Sequence, residues 1–82
     1  MSKIKVNDRF KFKVIDDESR LINPEELQKE IDQAISEVHD GKAFVRPSGT
    51  EDVLRLYTEA ADMNQVKQLQ AKITSIIDTK YS

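Results

Sequence analysis

Seven consecutive residues near the middle of the chain bring together an arginine, two hydroxyls, a glycine and two acids: Arg46, Pro47, Ser48, Gly49, Thr50, Glu51 and Asp52. The planar guanidinium of Arg46 offers a fork of donors that matches the oxygens of a phosphate. Ser48 and Thr50 add hydroxyls, and Gly49 lets the backbone turn so that its N–H approaches an anion closely. Pro47 stiffens the entry because its ring fixes φ. The segment therefore predicts a phosphate-binding loop.

The same residues also fit an ordinary connection between two strands. In that interpretation Arg46 is solvated and Ser48 makes a local side-chain turn. Short motifs match by chance at an appreciable rate, so the residue types alone leave both interpretations open. A bare turn nevertheless needs only Pro47 and Gly49, and it does not need the arginine, the hydroxyls and the acids.

Strands are predicted on both sides of the loop. Residues 42–45 form a short apolar run before it, and residues 53–60 alternate after it. In the second run Leu54 and Leu56 alternate with Val53, Arg55 and Tyr57, and either set could face the core. Where the side chain of Arg55 points is therefore left open.

The N-terminal residues 4–14 also alternate, which predicts a strand with one buried and one wet face. The apolar face comprises Ile4, Val6, Phe10, Phe12 and Val14, and the opposite face carries Lys3, Lys5, Arg9, Lys11 and Lys13. Asp8 interrupts the apolar face, so a bulge or a turn at Asn7-Asp8 would divide the run into two short strands. We interpret the basic face as solvated, since antiparallel sheets commonly leave one face to water. A nucleic-acid surface is the alternative.

A first helix is predicted from about residue 24 to residue 39. Asn23 is the expected N-cap, Pro24 takes the first helical position, and Ile22 can pack on Leu27 as a hydrophobic staple. Gly41 is the expected left-handed C-terminal cap. Its buried stripe comprises Leu27, Ile31, Ala34, Ile35 and Val38.

A second helix follows the last strand. Asp62 caps it, with Gln65 three residues later. Its apolar stripe comprises Val66, Leu69, Ile73, Ile76 and Ile77. The last residues, Lys80, Tyr81 and Ser82, are expected to fray.

The element order predicts one α+β domain over residues 1–82. A strand (or two), a helix, two strands and a helix form two layers, with both helices packed on one face of a three- to four-stranded, mainly antiparallel sheet. Eighty-two residues suffice for one small core.

Composition limits the possible functions. The chain has no cysteine, which excludes disulfides and thiolate metal sites. Its net charge of −2 gives no overall attraction to nucleic acid or membrane. No apolar run reaches the roughly 20 residues that span a bilayer, and the polar N-terminus lacks a signal-peptide core. We expect a cytoplasmic protein without a metal or catalytic site of its own, since His39 is the only histidine and Glu51 and Asp52 are adjacent.

The segment RPSGTED followed by VLRLYTEA resembles the C-terminal domain of the α-D-phosphohexomutases. Within that superfamily it is most similar to the eukaryotic phosphoacetylglucosamine mutase family. The loop has Asp52 where bacterial phosphoglucosamine mutases usually have proline, and the preceding strand reads Ala43-Phe44-Val45. Upstream, Leu27-Gln28 and Ile31-Asp32 also resemble that family.

The resemblance implies the fourth domain of a larger mutase that interconverts N-acetylglucosamine 6-phosphate and 1-phosphate for UDP-N-acetylglucosamine synthesis. This domain would hold the phosphate that is not reacting. The residues implied in binding are Arg46, Ser48, Gly49 and Thr50, with Arg55 contributing and Pro47 and Glu51 supporting the loop.

The catalytic residues, a Mg²⁺ ion and a sugar 1,6-bisphosphate activator would belong to the other three domains, so the isolated chain is expected to be inactive. Two alternatives remain: the same domain of a phosphoglucosamine, phosphoglucose or phosphomannose mutase, or a stand-alone module that binds a protein or RNA through its sheet.

Overall fold

A computed structural model describes residues 2–17 and 19–81, so the part of the fraying prediction that concerns Ser82 lies outside the described residues. Its five strands and two helices are β1 (Ser2–Lys5), β2 (Lys13–Val14), β3 (Leu21–Asn23), α1 (Glu25–Ser36), β4 (Lys42–Pro47), β5 (Val53–Glu59) and α2 (Met63–Tyr81). Three strands form one antiparallel sheet in the order β1-β5-β4, and β2 and β3 form a separate hairpin. The predicted α+β class is confirmed.

Side-chain alternation divides the three-stranded sheet into a core face and an outer face. The core face carries Ile4, Ala43, Val45, Leu54 and Leu56, all of which are buried. They join one hydrophobic cluster with residues of both helices, so α1 and α2 cover the same face of the sheet. The outer face, which neither helix covers, carries by register Lys3, Lys5, Lys42, Phe44, Arg46, Val53, Arg55, Tyr57 and Glu59.

The prediction of an alternating strand over residues 4–14 is wrong beyond Lys5. A 3-10 turn occupies Arg9–Lys11, capped by Asp8, whose Oδ1 accepts from Phe10 N at 2.9 Å. The predicted break at Asn7-Asp8 therefore exists, but β2 pairs with β3 and not with the main sheet. Phe10 is 72% exposed and not buried as predicted, whereas Phe12 is buried and packs edge-on against Tyr81.

Both predicted ends of α1 need correction. Pro24 occupies the N-cap position, while the Asn23 side chain donates to Lys11 O at 2.8 Å and so ties β3 to the 3-10 turn. Leu21 is buried, whereas Ile22, the predicted staple, is 58% exposed. At the other end, α1 stops at Ser36 and Asp40, not Gly41, adopts the left-handed conformation with φ 51°.

The predictions for α2 hold at its start and fail at its end. Asp62 Oδ1 accepts from Gln65 N at 2.9 Å, which confirms the cap. Leu69, Ile73 and Ile77 are buried. Lys80 and Tyr81 are helical, not frayed: Tyr81 O accepts from Asn7 N at 2.9 Å, and Lys80 forms an ion pair with Glu30. No helix in the described part of the chain is long and apolar enough to cross a membrane.

Candidate phosphate site

The connection between β4 and β5 is a short loop closed by backbone and side-chain hydrogen bonds. Ser48 N donates to Val53 O at 3.0 Å, which continues the pairing of the two strands by one residue. Ser48 Oγ accepts from Thr50 N at 3.2 Å, and the two hydroxyl oxygens are 3.5 Å apart. Ser48 is only 5% exposed, whereas Thr50 is exposed. The local side-chain turn thus exists and brings together the two hydroxyls that the sequence selected.

Gly49 does not have the role in the turn that its residue type suggested. Its φ is not positive, so the loop does not need the conformational freedom of glycine at this position. A Cβ atom on Gly49 would meet no heavy atom within 4 Å. The absent side chain instead leaves the backbone of the loop open to an approaching molecule.

Arg46 and Arg55 are direct cross-strand partners. Arg46 lies in β4 opposite Arg55 in β5, and both are half-buried. Because opposite residues in an antiparallel pair project to the same face, the side chain of Arg55 extends from the outer face together with that of Arg46. The orientation that the sequence left open is therefore that of a second arginine beside the first.

The two acids of the loop point to different partners. Glu51 Oε1 lies 4.0 Å from Lys3 Nζ, at the surface. Asp52 Oδ1 accepts from Arg9 N at 3.2 Å and from Arg9 Nη1 at 3.3 Å, and Asp52 O accepts from Val6 N at 3.0 Å. Asp52 therefore fixes the C-terminal end of the loop to the segment that follows β1. That Glu51 supports the loop stays a prediction.

Arg9 is the residue near the loop that sequence reasoning missed. Its guanidinium carbon lies 4.5 Å from the centre of the Phe10 ring, a cation–π geometry, while its N–H groups contact Asp52. The Asn7-Asp8 turn signal was the available indication that residues 9–11 leave the strand. A shallow groove of about 330 Å³ separates residues 9–13 from residues 47–49. Pro47 and Ser48 line it from the loop side.

Next along the outer face from the arginines lies an aromatic pair. Phe44 and Tyr57 are cross-strand partners whose ring centres are 5.1 Å apart with an interplanar angle of 23°. The Tyr57 hydroxyl bonds to Glu59, which raises the pKa of Tyr57 above its ordinary value. By register the pair lies two residues along each strand from Arg46 and Arg55.

Other surface features offer less chemistry. A concavity of about 700 Å³ runs along residues 67–79 of α2 and includes no residue of the loop. Within residues 2–17 and 19–81 no three histidine, aspartate or glutamate side chains cluster as metal ligands would. The hydroxyl pair beside the two arginines is therefore the best candidate site, and an oxyanion is the ligand that its donors fit.

Residues 1–76 match the family model described as the phosphoglucomutase/phosphomannomutase C-terminal domain. The chain is 40% identical over 77 residues to phosphoacetylglucosamine mutase 1 of Schizosaccharomyces pombe, covering 94% of this chain and 15% of that protein. It is 39% identical over 75 residues to phosphoacetylglucosamine mutase of Candida albicans, covering 92% of this chain and 14% of that protein. The chain thus spans about a seventh of the length of these relatives.

Solved structures give the same result. N-acetylphosphoglucosamine mutase of Aspergillus fumigatus superposes with a TM-score of 0.90 at 35% identity, over 95% of this chain and 14% of that one. A crystal structure of the Aspergillus protein in complex with GlcNAc-6P and magnesium gives a TM-score of 0.87 at 36% identity, over 93% and 14% of the two chains. A variant of it has been crystallised with glucose 1,6-bisphosphate. These matches confirm the resemblance identified from the loop and its strands.

Proposed function

Because the chain belongs to the phosphoglucomutase/phosphomannomutase C-terminal domain family, we propose that it is the substrate-phosphate-binding domain of a larger phosphohexomutase. The parent enzyme interconverts N-acetylglucosamine 6-phosphate and N-acetylglucosamine 1-phosphate. The names of the relatives, which are phosphoacetylglucosamine mutases, support this substrate over glucose and mannose phosphates.

The observation that carries the proposal is the register of Arg46 opposite Arg55 beside the paired hydroxyls of the loop. Two guanidinium groups from neighbouring strands can bind different oxygens of one phosphate, each through charge-assisted hydrogen bonds. Ser48 and Thr50 add hydroxyl donors, and the open backbone at Gly49 lets the loop N–H groups approach the same anion. The site would recognise a phosphate and little of the sugar.

Such selectivity suits a mutase that works through a 1,6-bisphosphate. The intermediate must turn end over end between the two half-reactions, so each phosphate in turn occupies the position that does not react. Binding that remote phosphate orients the sugar and converts binding energy into rate. A small domain that closes over the substrate also excludes water from the reaction.

The chemistry itself is assigned to the rest of the parent enzyme. In the described part of the chain, the partners of the Ser48 hydroxyl are the Thr50 hydroxyl and the Thr50 N–H, and a histidine base is not among them, so the loop is suited to bind phosphate and not to transfer it. The acids of the loop face Lys3 and Arg9, an arrangement that does not fit a magnesium site. We therefore place Mg²⁺ and the bisphosphate activator with the other three domains, and we expect the 82-residue chain alone to be inactive.

The test is an amide NMR titration of the chain with N-acetylglucosamine 6-phosphate and, separately, with inorganic phosphate. We expect a dissociation constant in the millimolar range, about −4 kcal/mol, because the rest of the cleft is missing. The shifts should concentrate at Ser48, Gly49 and Thr50. Arg46→Ala should weaken binding more than tenfold, since a charge-assisted hydrogen bond typically contributes about 1.5–3 kcal/mol.

The control is Lys29→Ala, which removes an exposed cation of α1 on the far side of the molecule and should leave the titration unchanged. Arg46→Lys keeps the charge and tests whether the fork of donors matters. A titration without shifts at residues 48–50, or one that Arg46→Ala does not alter, would refute the proposal.

The outer face also suggests a second candidate, a module that binds RNA through its sheet. Phe44 and Tyr57 share this face with five basic side chains, a combination that single-stranded RNA can use. The two rings, however, stack on one another and are half-buried, which leaves less surface for bases. A uridine oligonucleotide that shifts Phe44 and Tyr57 in a salt-dependent manner, with no response to sugar phosphate, would favour this function.

A further inference from the structure

The register of the sheet adds a third cation to the row formed by the two arginines. β5 lies between the other two strands, and Arg55 is opposite Arg46 on one side and opposite Lys3 on the other. Cβ atoms of directly opposed residues are about 4.5–5.5 Å apart, so the three side chains leave the outer face as neighbours. Of the basic N-terminal residues, only Lys3 occupies this position.

The surroundings of Lys3 place its ammonium next to the loop. Lys3 Nζ lies 4.0 Å from Glu51 Oε1, and Glu51 is a loop residue that follows Thr50 directly. Both side chains are more than half exposed, at 59% and 57%, so this ion pair is loose and stabilises the fold little. An anion held between the loop and the arginines would therefore lie within reach of the Lys3 ammonium.

Like charges directly opposite one another repel, so a negative charge close to Lys3 and Arg55 is favourable. Glu51 supplies one negative charge to one end of this row. A phosphate dianion bound at Arg46 and Arg55 would supply two and would compete with the Glu51 carboxylate for Lys3. Binding of phosphate and release of Glu51 would then be coupled.

Building on the proposed function, we propose that Lys3 is a third cationic residue of the phosphate site and that Glu51 is its partner only until phosphate binds. Lys3 then pairs with a phosphate oxygen, while Glu51 turns to solvent. Glu51 thereby lowers the affinity for phosphate, and Lys3 raises it.

The other lysines provide a matched control. Lys11 and Lys13 lie in the 3-10 turn and in β2, outside the three-stranded sheet. Lys42 lies on the outer face, as Lys3 does, but it is opposite Glu59 and four residues from Arg46. At 3.3 Å per residue that separation is about 13 Å, longer than the Debye length of about 8 Å at physiological salt.

The experiment measures the dissociation constant of inorganic phosphate by amide NMR for the chain and five variants, one of which is Arg46→Ala. Lys3→Ala should weaken binding about three- to fivefold, the range typical of one partly exposed charge pair. Lys42→Ala should stay close to the original chain, and Glu51→Gln should tighten binding about twofold. In the double variant that combines Lys3→Ala with Glu51→Gln, the tightening should disappear, because Glu51 acts through Lys3.

The outcomes separate this inference from the proposed function. If Arg46→Ala abolishes binding while Lys3→Ala matches Lys42→Ala, the phosphate site stands and the role of Lys3 is refuted. If Glu51→Gln weakens binding, Glu51 supports the loop and is not displaced. If phosphate does not shift residues 48–50 even in the original chain, the proposed function fails and the role of Lys3 with it. Lys3→Gln replaces Lys3→Ala if the amide spectrum of the alanine variant shows unfolding.

Discussion

Arginine side chains have different partners in two regions of the molecule, one beside α1 and the other beside the loop between β4 and β5. On the α1 side, Arg20 bonds Asp32 through both of its terminal nitrogens, at 2.9 and 3.3 Å. Gln28 donates to the same carboxylate at 3.0 Å and accepts from Leu21 N at 2.7 Å, so the β2–β3 hairpin is fixed to α1. On the loop side, Arg46 and Arg55 are aligned with each other. The first arrangement pairs an arginine with a carboxylate, whereas the second places two arginines side by side on one face of the sheet.

The two glycines also differ between these regions, in how much space surrounds each of them. A Cβ on Gly41, between α1 and β4, would lie 2.6 Å from Val38 Cγ2 and 2.9 Å from Ile35 O. A Cβ on Gly49, in the loop, would meet no heavy atom within 4 Å. Glycine is therefore required for packing on the α1 side and leaves open space on the loop side. The aligned arginines and the open space at Gly49 are the features that the proposed phosphate site requires, whereas Arg20 and Gly41 serve packing and pairing within the fold.

Substituting the two glycines should give the largest contrast. Gly41→Ala inserts a methyl group into a packed contact and should cost about 1–3 kcal/mol of unfolding free energy. Gly49→Ala should be neutral or stabilising by up to about 1 kcal/mol, because it restricts the unfolded chain without a clash. Urea unfolding followed by circular dichroism measures both, and the phosphate titration should show weaker binding for Gly49→Ala alone.

Equal destabilisation by the two substitutions would contradict the contrast. So would a Gly49→Ala variant that binds phosphate as the original chain does, because the open backbone would then have no part in binding.

Apart from the two ends of α1, sequence reasoning predicted most of what depends on local patterns, and it missed what depends on pairing between distant residues. The helices, the strands on both sides of the loop and the Asp62 cap follow from periodicity and capping, which act over a few residues. The hairpin of β2 and β3 was missed because its strands are two and three residues long, too short for a period to show. Phe10 was placed in the core because alternation was extended through a turn that Asp8 had already begun.

The candidate site, too, depends on pairing between distant residues that the sequence does not reveal. The types of Arg46, Ser48 and Thr50 selected the loop, but the face on which Arg55 lies depends on its register with Arg46. Register is set by contacts between strands that a single sequence does not reveal. Arg9 could not be found for the same reason, since its partner Asp52 lies 43 residues away.

The next contrast compares one arginine from each side. Arg20→Ala should lower the unfolding free energy only modestly, because its ion pair with Asp32 is half exposed and screened by solvent, and it should leave phosphate binding unchanged. Arg55→Ala should weaken phosphate binding several-fold with little loss of stability, since Arg55 lies on the outer face and outside the hydrophobic cluster. Urea midpoints and phosphate dissociation constants should be measured on both variants. Arg20→Ala should change mainly the midpoint, and Arg55→Ala should change mainly the dissociation constant. A loss of stability in Arg55→Ala as large as that in Arg20→Ala would show that Arg55 is structural.

The smallest expected effect is a dependence of stability on pH that only the α1 side should show. The hydrogen bond from Arg20, helped by one from Gln28, holds the pKa of Asp32 below its ordinary value of 3.8. A carboxyl whose pKa is lower in the folded chain binds its proton more readily when unfolded, so its contribution to stability is full above the unfolded pKa. That contribution should disappear as the pH falls from about 5 through 3.8 and then through the folded pKa.

Arg20→Ala should therefore be less stable than the original chain at pH 6, and the difference should shrink as Asp32 is protonated. The pKa values of Asp17 and Asp62 are also lowered, by hydrogen bonds from Ser19 and Gln65, so the original chain alone would not identify Asp32 as the cause. The difference between the two urea midpoints at each pH does identify it, because both proteins share the other carboxyls. Arg55→Ala should instead run parallel to the original chain at every pH. A gap between Arg20→Ala and the original chain that stays constant down to pH 2.5 would mean that Arg20 stabilises the hairpin through packing and not through its charge.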